Sequence, residues 1–287
     1  MGNKPLAEIA AFGRTMAMLE AILERPARLA VDHGPDTGRH RRGDVSAIAR
    51  ELDIPVSTAH RQVATLVAEG LLRPVGRGRH VAGPRLQRLA ELFDLRQLVA
   101  SVAFEPLDAL ASRTHSIAQL GSLEDDMVTY RIKTGYNASR LFTKVGMQLE
   151  AYCSGIGKVL LAHMPEAVQR RYLGEGPFPQ LTERTITDPV RLAGEFALIR
   201  ERGFAIDDEE IAPGLRCFAV PVRGPQGDVV AAISLSTQRG GRAVRDRSDA
   251  QLVDLVRAAA RQIEDTAFGP SRNARSAAPG SRTEGED

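Results

Sequence analysis

The sequence contains no tryptophan, only four tyrosines and only two cysteines. Cys153 and Cys217 alone cannot form the disulfide framework of a small secreted scaffold, so both are expected to be free thiols in a reducing compartment. No apolar run approaches the roughly 18–20 residues that a membrane helix needs. The first residues, Met1-Gly2-Asn3-Lys4-Pro5, lead into an amphipathic segment rather than the apolar core of a signal peptide. The expectation is a cytoplasmic protein with no membrane partner. Hydrophobic residues at 43% and charged residues at 26% of a 287-residue chain suit about two globular domains.

Catalytic and cofactor signatures are missing too. A phosphate-binding P-loop would need Gly at 152 and Ser or Thr at 159, where the chain has Tyr152 and Val159. The dinucleotide pattern fails because Leu160 stands where its third glycine belongs. No nucleophile elbow, paired CxxC or HExxH occurs, and His33 and His40 are too sparse for a metal site. No cofactor, metal or catalytic residue is expected. The alternative class is a cysteine-dependent hydrolase or redox enzyme using Cys217 with His115 or His163. No spacing supports it, and a cysteine in an apolar strand is more often inert. A sequence-blind architectural DNA protein is a second alternative, but it has no need of a large α/β domain.

The net charge of +2 conceals an asymmetry. Residues 39–88 hold ten arginines against four acids, a local net of +6, so the remainder sums to −4. Positive charge gathered beside a mildly acidic remainder is the footprint of nucleic-acid binding.

Apolar spacing predicts a helix over 9–25 and a loop over 32–43, then a short helix from an Asp44 cap through Leu52. Asp53-Ile54-Pro55 breaks that helix and opens another that runs to Glu69. Two short strands around Gly76-Arg77-Gly78 follow. Helix, short helix, tight turn, helix and basic hairpin make a winged helix-turn-helix, whose second helix fits the DNA major groove. Ser57, Thr58, His60, Arg61 and Thr65 face outward from that helix, with Ser46 on the one before. They are suited to phosphates and base edges. Arg73, Arg77 and Arg79 arm the wing, where glycines let the tip approach the sugar-phosphate backbone.

A helical region is predicted over 84–113, bending at Pro106, with Leu86, Leu89 and Leu92 as its stripe. Beyond it the pattern is mixed α/β. Strands are expected at 116–123, 127–133, 140–145, 215–223 and 228–237, and helices near 157–163, 166–173, 189–201 and 245–266. Alternation puts Phe218, Val220 and Val222 on one face of a strand and Leu215, Cys217 and Ala219 on the other. In the next strand Ile233 and Leu235 face one way, and Ala232, Ser234 and Ser236 the other. The small, weakly polar faces suit the floor of a ligand cavity. Ser154 is placed to cap a helix whose first glycines leave amides open to an anion, which favours a carboxylic acid.

The run Val45-Ser46-Ala47-Ile48-Ala49-Arg50-Glu51-Leu52-Asp53-Ile54-Pro55-Val56-Ser57-Thr58-Ala59-His60-Arg61 resembles the helix-turn-helix of the IclR family of bacterial transcriptional regulators. So do Arg79-His80-Val81-Ala82-Gly83-Pro84-Arg85-Leu86, Ser154-Gly155-Ile156-Gly157-Lys158-Val159-Leu160-Leu161-Ala162 and Gly214-Leu215-Arg216-Cys217-Phe218-Ala219-Val220-Pro221-Val222. The segment 32–43 is longer than the family's usual connection. The resemblance implies an α+β chain: a winged helix-turn-helix over 1–83, a helical linker and dimerisation segment over 84–113, and a GAF-like effector-binding domain over 114–267. Composition adds a disordered tail over 268–287. The family resemblance also implies effector contacts at Leu141, Leu149, Gly155, Ile156, Asp207, Leu215, Cys217, Ser234 and Ser236. The expected function is a repressor whose affinity for a pseudo-palindromic operator in double-stranded DNA is set by a small carboxylic acid. The expected assembly is a homodimer or a dimer of dimers.

Overall fold

The computed structural model describes residues 4–24, 45–76 and 78–269. The expected loop over 32–43, the Asp44 cap, Arg77 and the tail from residue 270 lie outside the described residues. The rest forms two compact units that divide between Phe93 and Asp94.

In the first unit, α1 (Lys4–Leu23), α2 (Val45–Glu51) and α3 (Val56–Ala68) enclose a small core of Met18, Ile22, Ile48, Ala59, Val63 and Leu66. These are the apolar positions that helical spacing repeats, and their burial drives the three helices together. The two-stranded sheet of β1 (Leu72–Pro74) and β2 (His80–Ala82) follows, with Leu72 sealing the core from below. Helix α4 (Pro84–Glu91) closes the unit with Pro84 in its first turn.

The stretch 84–113 is two helices rather than one bent at Pro106. Helix α4 stops at Glu91, and α5 (Leu95–Thr114) starts anew because the Asp94 carboxylate accepts the Arg96 N–H at 2.9 Å. Pro106 lies buried within α5. The break therefore falls where a cap satisfies the new helix.

The second unit is built on a six-stranded antiparallel sheet in the order β5-β4-β3-β8-β7-β6. Its strands are β3 (Ile117–Glu124), β4 (Met127–Gly135), β5 (Gln148–Glu150), β6 (Ala205–Asp208), β7 (Leu215–Arg223) and β8 (Val229–Gln238). Helix α5 and the long α10 (Asp249–Phe268) supply the core on one face, where Leu107, Leu110, Val256 and Ile263 meet Phe218, Val220, Ile233 and Leu235. Helices α6 (Gly155–Ala162), α7 (Glu166–Gly174) and α8 (Pro189–Arg202) cover the other face through Ile156, Val159, Tyr172, Leu192 and Phe196. A short α9 (Arg242–Asp246) precedes α10, whose start is fixed by a capping box between Ser248 and Gln251.

Further differences from the sequence reading lie in the second unit. The expected strand over 140–145 is absent: a single 3₁₀ turn, Ala138–Arg140, gives way to an irregular loop, and the edge strand forms at Gln148–Glu150. That loop is held by side chains instead of a ladder, with Lys133 Nζ donating to the Leu141 carbonyl at 2.8 Å and to that of Thr143. Strand β6 went unseen because its two aspartates argue against a strand. The final helix starts at Asp249, after Ser248, rather than at Arg245.

Candidate DNA interface and ligand cavity

In the first unit, Ala59, Val63 and Leu66 of α3 are buried and Ser57, His60, Arg61 and Thr65 are exposed, with Thr58 half-buried. The Thr65 hydroxyl donates to the Arg61 carbonyl at 3.0 Å, and Arg61 itself is exposed. Ser46 is half-buried on α2. The hairpin turns through Gly76 and Gly78 at φ of 88° and 72°, left-handed values that glycine alone adopts without strain. Arg73 and Arg79 flank the turn and are exposed. His80 on β2 sits near His60, and its pKa lies below the usual histidine value chiefly through partial burial. Replacing Arg73 and Arg79 with Ala is expected to weaken binding to all duplexes alike. The slope of log affinity against log salt should flatten by about one unit per lost phosphate contact. A loss confined to one base position, measured by anisotropy on a set of single-base variants, would contradict that role.

In the second unit, eight of the nine residues expected at the effector site line one cavity: Leu141, Gly155, Ile156, Asp207, Leu215, Cys217, Ser234 and Ser236. Their convergence follows from register. Asp207 pairs with Cys217, Cys217 with Ser236, and Ala219 with Ser234, so the small faces of β6, β7 and β8 form one continuous floor. Leu149 does not line the cavity; it pairs with Val128 on the edge strand and packs against the α6-side core. Gln119, Tyr130, Phe142, Thr143 and Ile211 also line it, without having been singled out from the sequence. Gln119 had a signal, a buried amide in the middle of the otherwise mostly apolar β3.

The lining is polar and interlocked. Gln119 Nε2 donates to Thr143 Oγ1 at 2.7 Å, fastening the irregular loop to the sheet. Ser236 Oγ lies 3.3 Å from both Gln119 Oε1 and Cys217 Sγ. The walls approach so closely that the space between them admits about one water molecule. A ligand must therefore part them, and the 141–143 loop is a wall tied to the sheet by the Gln119 and Lys133 side chains rather than by a ladder.

Helix α6 enters the cavity end-on. Ser154 Oγ caps the helix by accepting the Gly157 N–H at 3.0 Å, and Gly155 and Ile156, whose amides the cap does not take, stand beside the floor. Gly157 is required by close approach: a Cβ there would stand 2.1 Å from the Ala151 carbonyl oxygen. Gly157→Ala is expected to cost about 1–3 kcal/mol, because only backbone can yield. Thermal unfolding within a degree of wild type would show that this approach is loose.

Burial dominates the electrostatics. It pushes the Cys153 thiol up to about 12 and raises Cys217 well above the usual thiol value, with Asp207 adding to both. Neither is a poised thiolate. Asp207 is pushed up to about 7, mainly by burial, against opposing hydrogen bonds from the loop that follows it. Its Oδ1 accepts the Glu210 N–H at 2.7 Å. Behind it Lys158, a buried residue of α6, donates to Glu210 and, at 2.8 Å, to the Ile206 carbonyl, and lies 3.6 Å from Glu195. Among the described residues no group of His, Cys, Asp and Glu is arranged to hold a metal ion, and no helix is long and apolar enough to cross a membrane.

Comparison with known proteins agrees with both halves of this reading. The model of the bacterial transcriptional regulator IclR C-terminal domain matches residues 94–265, and that of the IclR helix-turn-helix domain residues 38–76. The HTH-type transcriptional regulator BhcR of Paracoccus denitrificans is 34% identical, over 78% of this chain and 80% of that one. The Pca regulon regulatory protein of Pseudomonas putida is 29% identical, over 89% of this chain and 83% of its own. Among solved structures, an IclR homolog complexed with 4-hydroxybenzoate from Microbacterium hydrocarbonoxydans superposes with a TM-score of 0.56. It is 26% identical, over 91% of this chain and 100% of that one. These relatives are regulators rather than enzymes, which sets the cysteine-hydrolase alternative aside. The chain belongs to the IclR family of bacterial transcriptional regulators.

Proposed function

We propose that the protein represses transcription by holding a pseudo-palindromic operator as a two-fold dimer or pair of dimers, and that a small carboxylic acid in the β6–β7–β8 cavity changes that affinity. The observation that carries the reading is the convergence of eight expected contacts on one buried polar cavity beside the α6 amides. The solved relative that holds 4-hydroxybenzoate makes a single-ring hydroxy acid the first candidate to try. The test is a thermal-shift screen of metabolite carboxylates, followed by competition with operator DNA. A ligand at 100 times its Kd adds roughly 2.7 kcal/mol of stability. An effector that weakens operator binding by some factor must itself bind more weakly by that factor when operator is present. A screen in which only neutral compounds stabilise the protein would overturn the carboxylic-acid reading.

Two side-chain tests follow. Arg61→Ala is expected to keep the fold and lose about 1–3 kcal/mol of binding to a duplex selected from a random pool by the wild-type protein. Unchanged affinity at physiological salt would remove Arg61 from the interface. Ser234→Ala and Ser236→Ala should lower effector affinity while leaving effector-free DNA binding intact. For assembly, Leu86 packs on the core of the first unit, whereas Leu89, Leu92 and Phe93 are exposed at the end of α4. We assign these three to the dimer contact. Leu92→Glu is expected to yield monomers in light scattering.

A further inference from the structure

We infer that a carboxylate ligand in this cavity shares one proton with Asp207, whose Oδ2 is the donor. The inference deepens the carboxylic-acid reading above and rests on it.

Asp207 is wholly buried, and its Oδ2 has no hydrogen-bond partner among the described residues. The other oxygen is used, accepting from Glu210 N at 2.7 Å and Ile211 N at 3.4 Å. One side of the carboxyl is therefore anchored to the backbone, while Oδ2, with the Cys217 thiol beside the carboxyl, keeps a hydrogen-bonding position for whatever enters. Among the described residues no cation lines the cavity. Lys158, the cation that acts on Asp207, is committed to Glu210, the Ile206 carbonyl and Glu195, and Lys133 to the Leu141 and Thr143 carbonyls.

The α6 amides and Asp207 are neighbours. A Cβ placed on Gly155 would stand 3.8 Å from the Asp207 Cβ. A carboxylate accepting from the Gly155 and Ile156 amides therefore lies against Asp207. Two ionised carboxylates that close, in a water-poor site, repel strongly, and such a pair holds one proton between them.

Five titratable groups face Asp207. Lys158 from α6 favours its ionised form and Glu210 from the turn after β6 opposes it. Cys217 on β7, Cys153 before α6 and Tyr130 on β4 are all raised by burial and stay neutral through the neutral range. Burial raises Glu210 as well, but it is Asp207, at about 7, that lines the cavity.

The proton balance sets the observable. Below about pH 6 the carboxyl already holds its proton and the anion binds without further exchange. At pH 8 the ionised Asp207 takes one proton from solvent as the anion enters, and donates it across the new hydrogen bond. Affinity therefore falls about tenfold per pH unit above the Asp207 midpoint.

Calorimetry on the full chain tests this with 4-hydroxybenzoate, benzoate, pyruvate and lactate, each beside its primary amide. Titrations run at about pH 6 and about pH 8.5, in buffers of contrasting ionisation heat. The expected result is an acid that binds more weakly at the higher pH and takes up about one proton there. Its amide shows neither effect. Asp207→Asn keeps a donor at that atom, so the variant retains binding of the acid but loses both the proton uptake and the pH dependence. An acid that binds equally at both pH values with no proton uptake overturns the inference and leaves the carboxylic-acid reading standing. If no acid of the set binds at either pH, that reading falls, and the inference with it.

Discussion

Lys158→Ala is expected to destabilise the second unit by about 3–5 kcal/mol, the loss typical when one member of a buried ion pair is removed. The ammonium is 1% exposed and meets Glu210, itself buried, while Glu195 stands 3.6 Å away. Deleting it strands a carboxylate that pairs with no other cation among the described residues. Glu210 Oε2 already lacks a hydrogen-bond partner, so the structure has no reserve to draw on there. Replacing Lys158 and Glu210 together with Met should recover most of the loss, since a well-packed apolar pair is often as stable as the ion pair it replaces. Chemical denaturation of the single and double variants measures both effects. A single variant within 1 kcal/mol of wild type would mean that water reaches Glu210.

The second large effect is a pH dependence of stability centred on Asp207. Its folded pKa of about 7 lies above the ordinary aspartate value of 3.8. Between those limits the folded chain holds a proton that the unfolded chain has released. Wild-type stability from this group is therefore full below about pH 4 and falls as pH rises towards 7, by roughly 1.4 kcal/mol per unit. Asp207→Asn has no such proton to lose. The variant should match wild type near pH 4 and exceed it by roughly 4 kcal/mol at pH 8. Parallel thermal unfolding curves across that range give the difference directly, and a gap that does not widen with pH refutes the buried-acid assignment.

The legibility of the sequence followed periodicity. The inward positions of α3 and the alternating faces of β7 and β8 announce themselves because burial on one side forces a repeat. Cys217, Ser234 and Ser236 were placed on one floor by that alternation alone. Where side chains substitute for a backbone ladder, the pattern is silent. The 141–143 segment looks like a strand but is tied by Gln119 and Lys133, partners that are distant in sequence. Tyr130 and Ile211 reach the cavity through register and a turn, neither of which leaves a local trace. Asp207 could be assigned to the site only through family resemblance, because two acids in a row read as a surface turn and not as a buried strand. The missed helix break at Asp94 is a capping signal outweighed by the leucine spacing before it.

The central seam of the sheet also dictates when the protein can come into being. Strand β3 pairs with β8, joining Ala118 to Leu235 and Gln119 to Ser234 across most of the second unit's length. During synthesis the chain emerges from its N-terminal end, and β3 waits exposed until β8 has been made. Pairings this distant in sequence are slow to form and leave apolar strand edges uncovered meanwhile. The fully buried core of the first unit ends at Leu72, with Leu86 of α4 packed against it, so nothing beyond the first unit is needed to complete it. A nascent chain or truncated fragment thus acquires a helix-turn-helix well before it acquires a cavity. Fragments ending before β8 would carry the DNA-reading helix without the ligand floor.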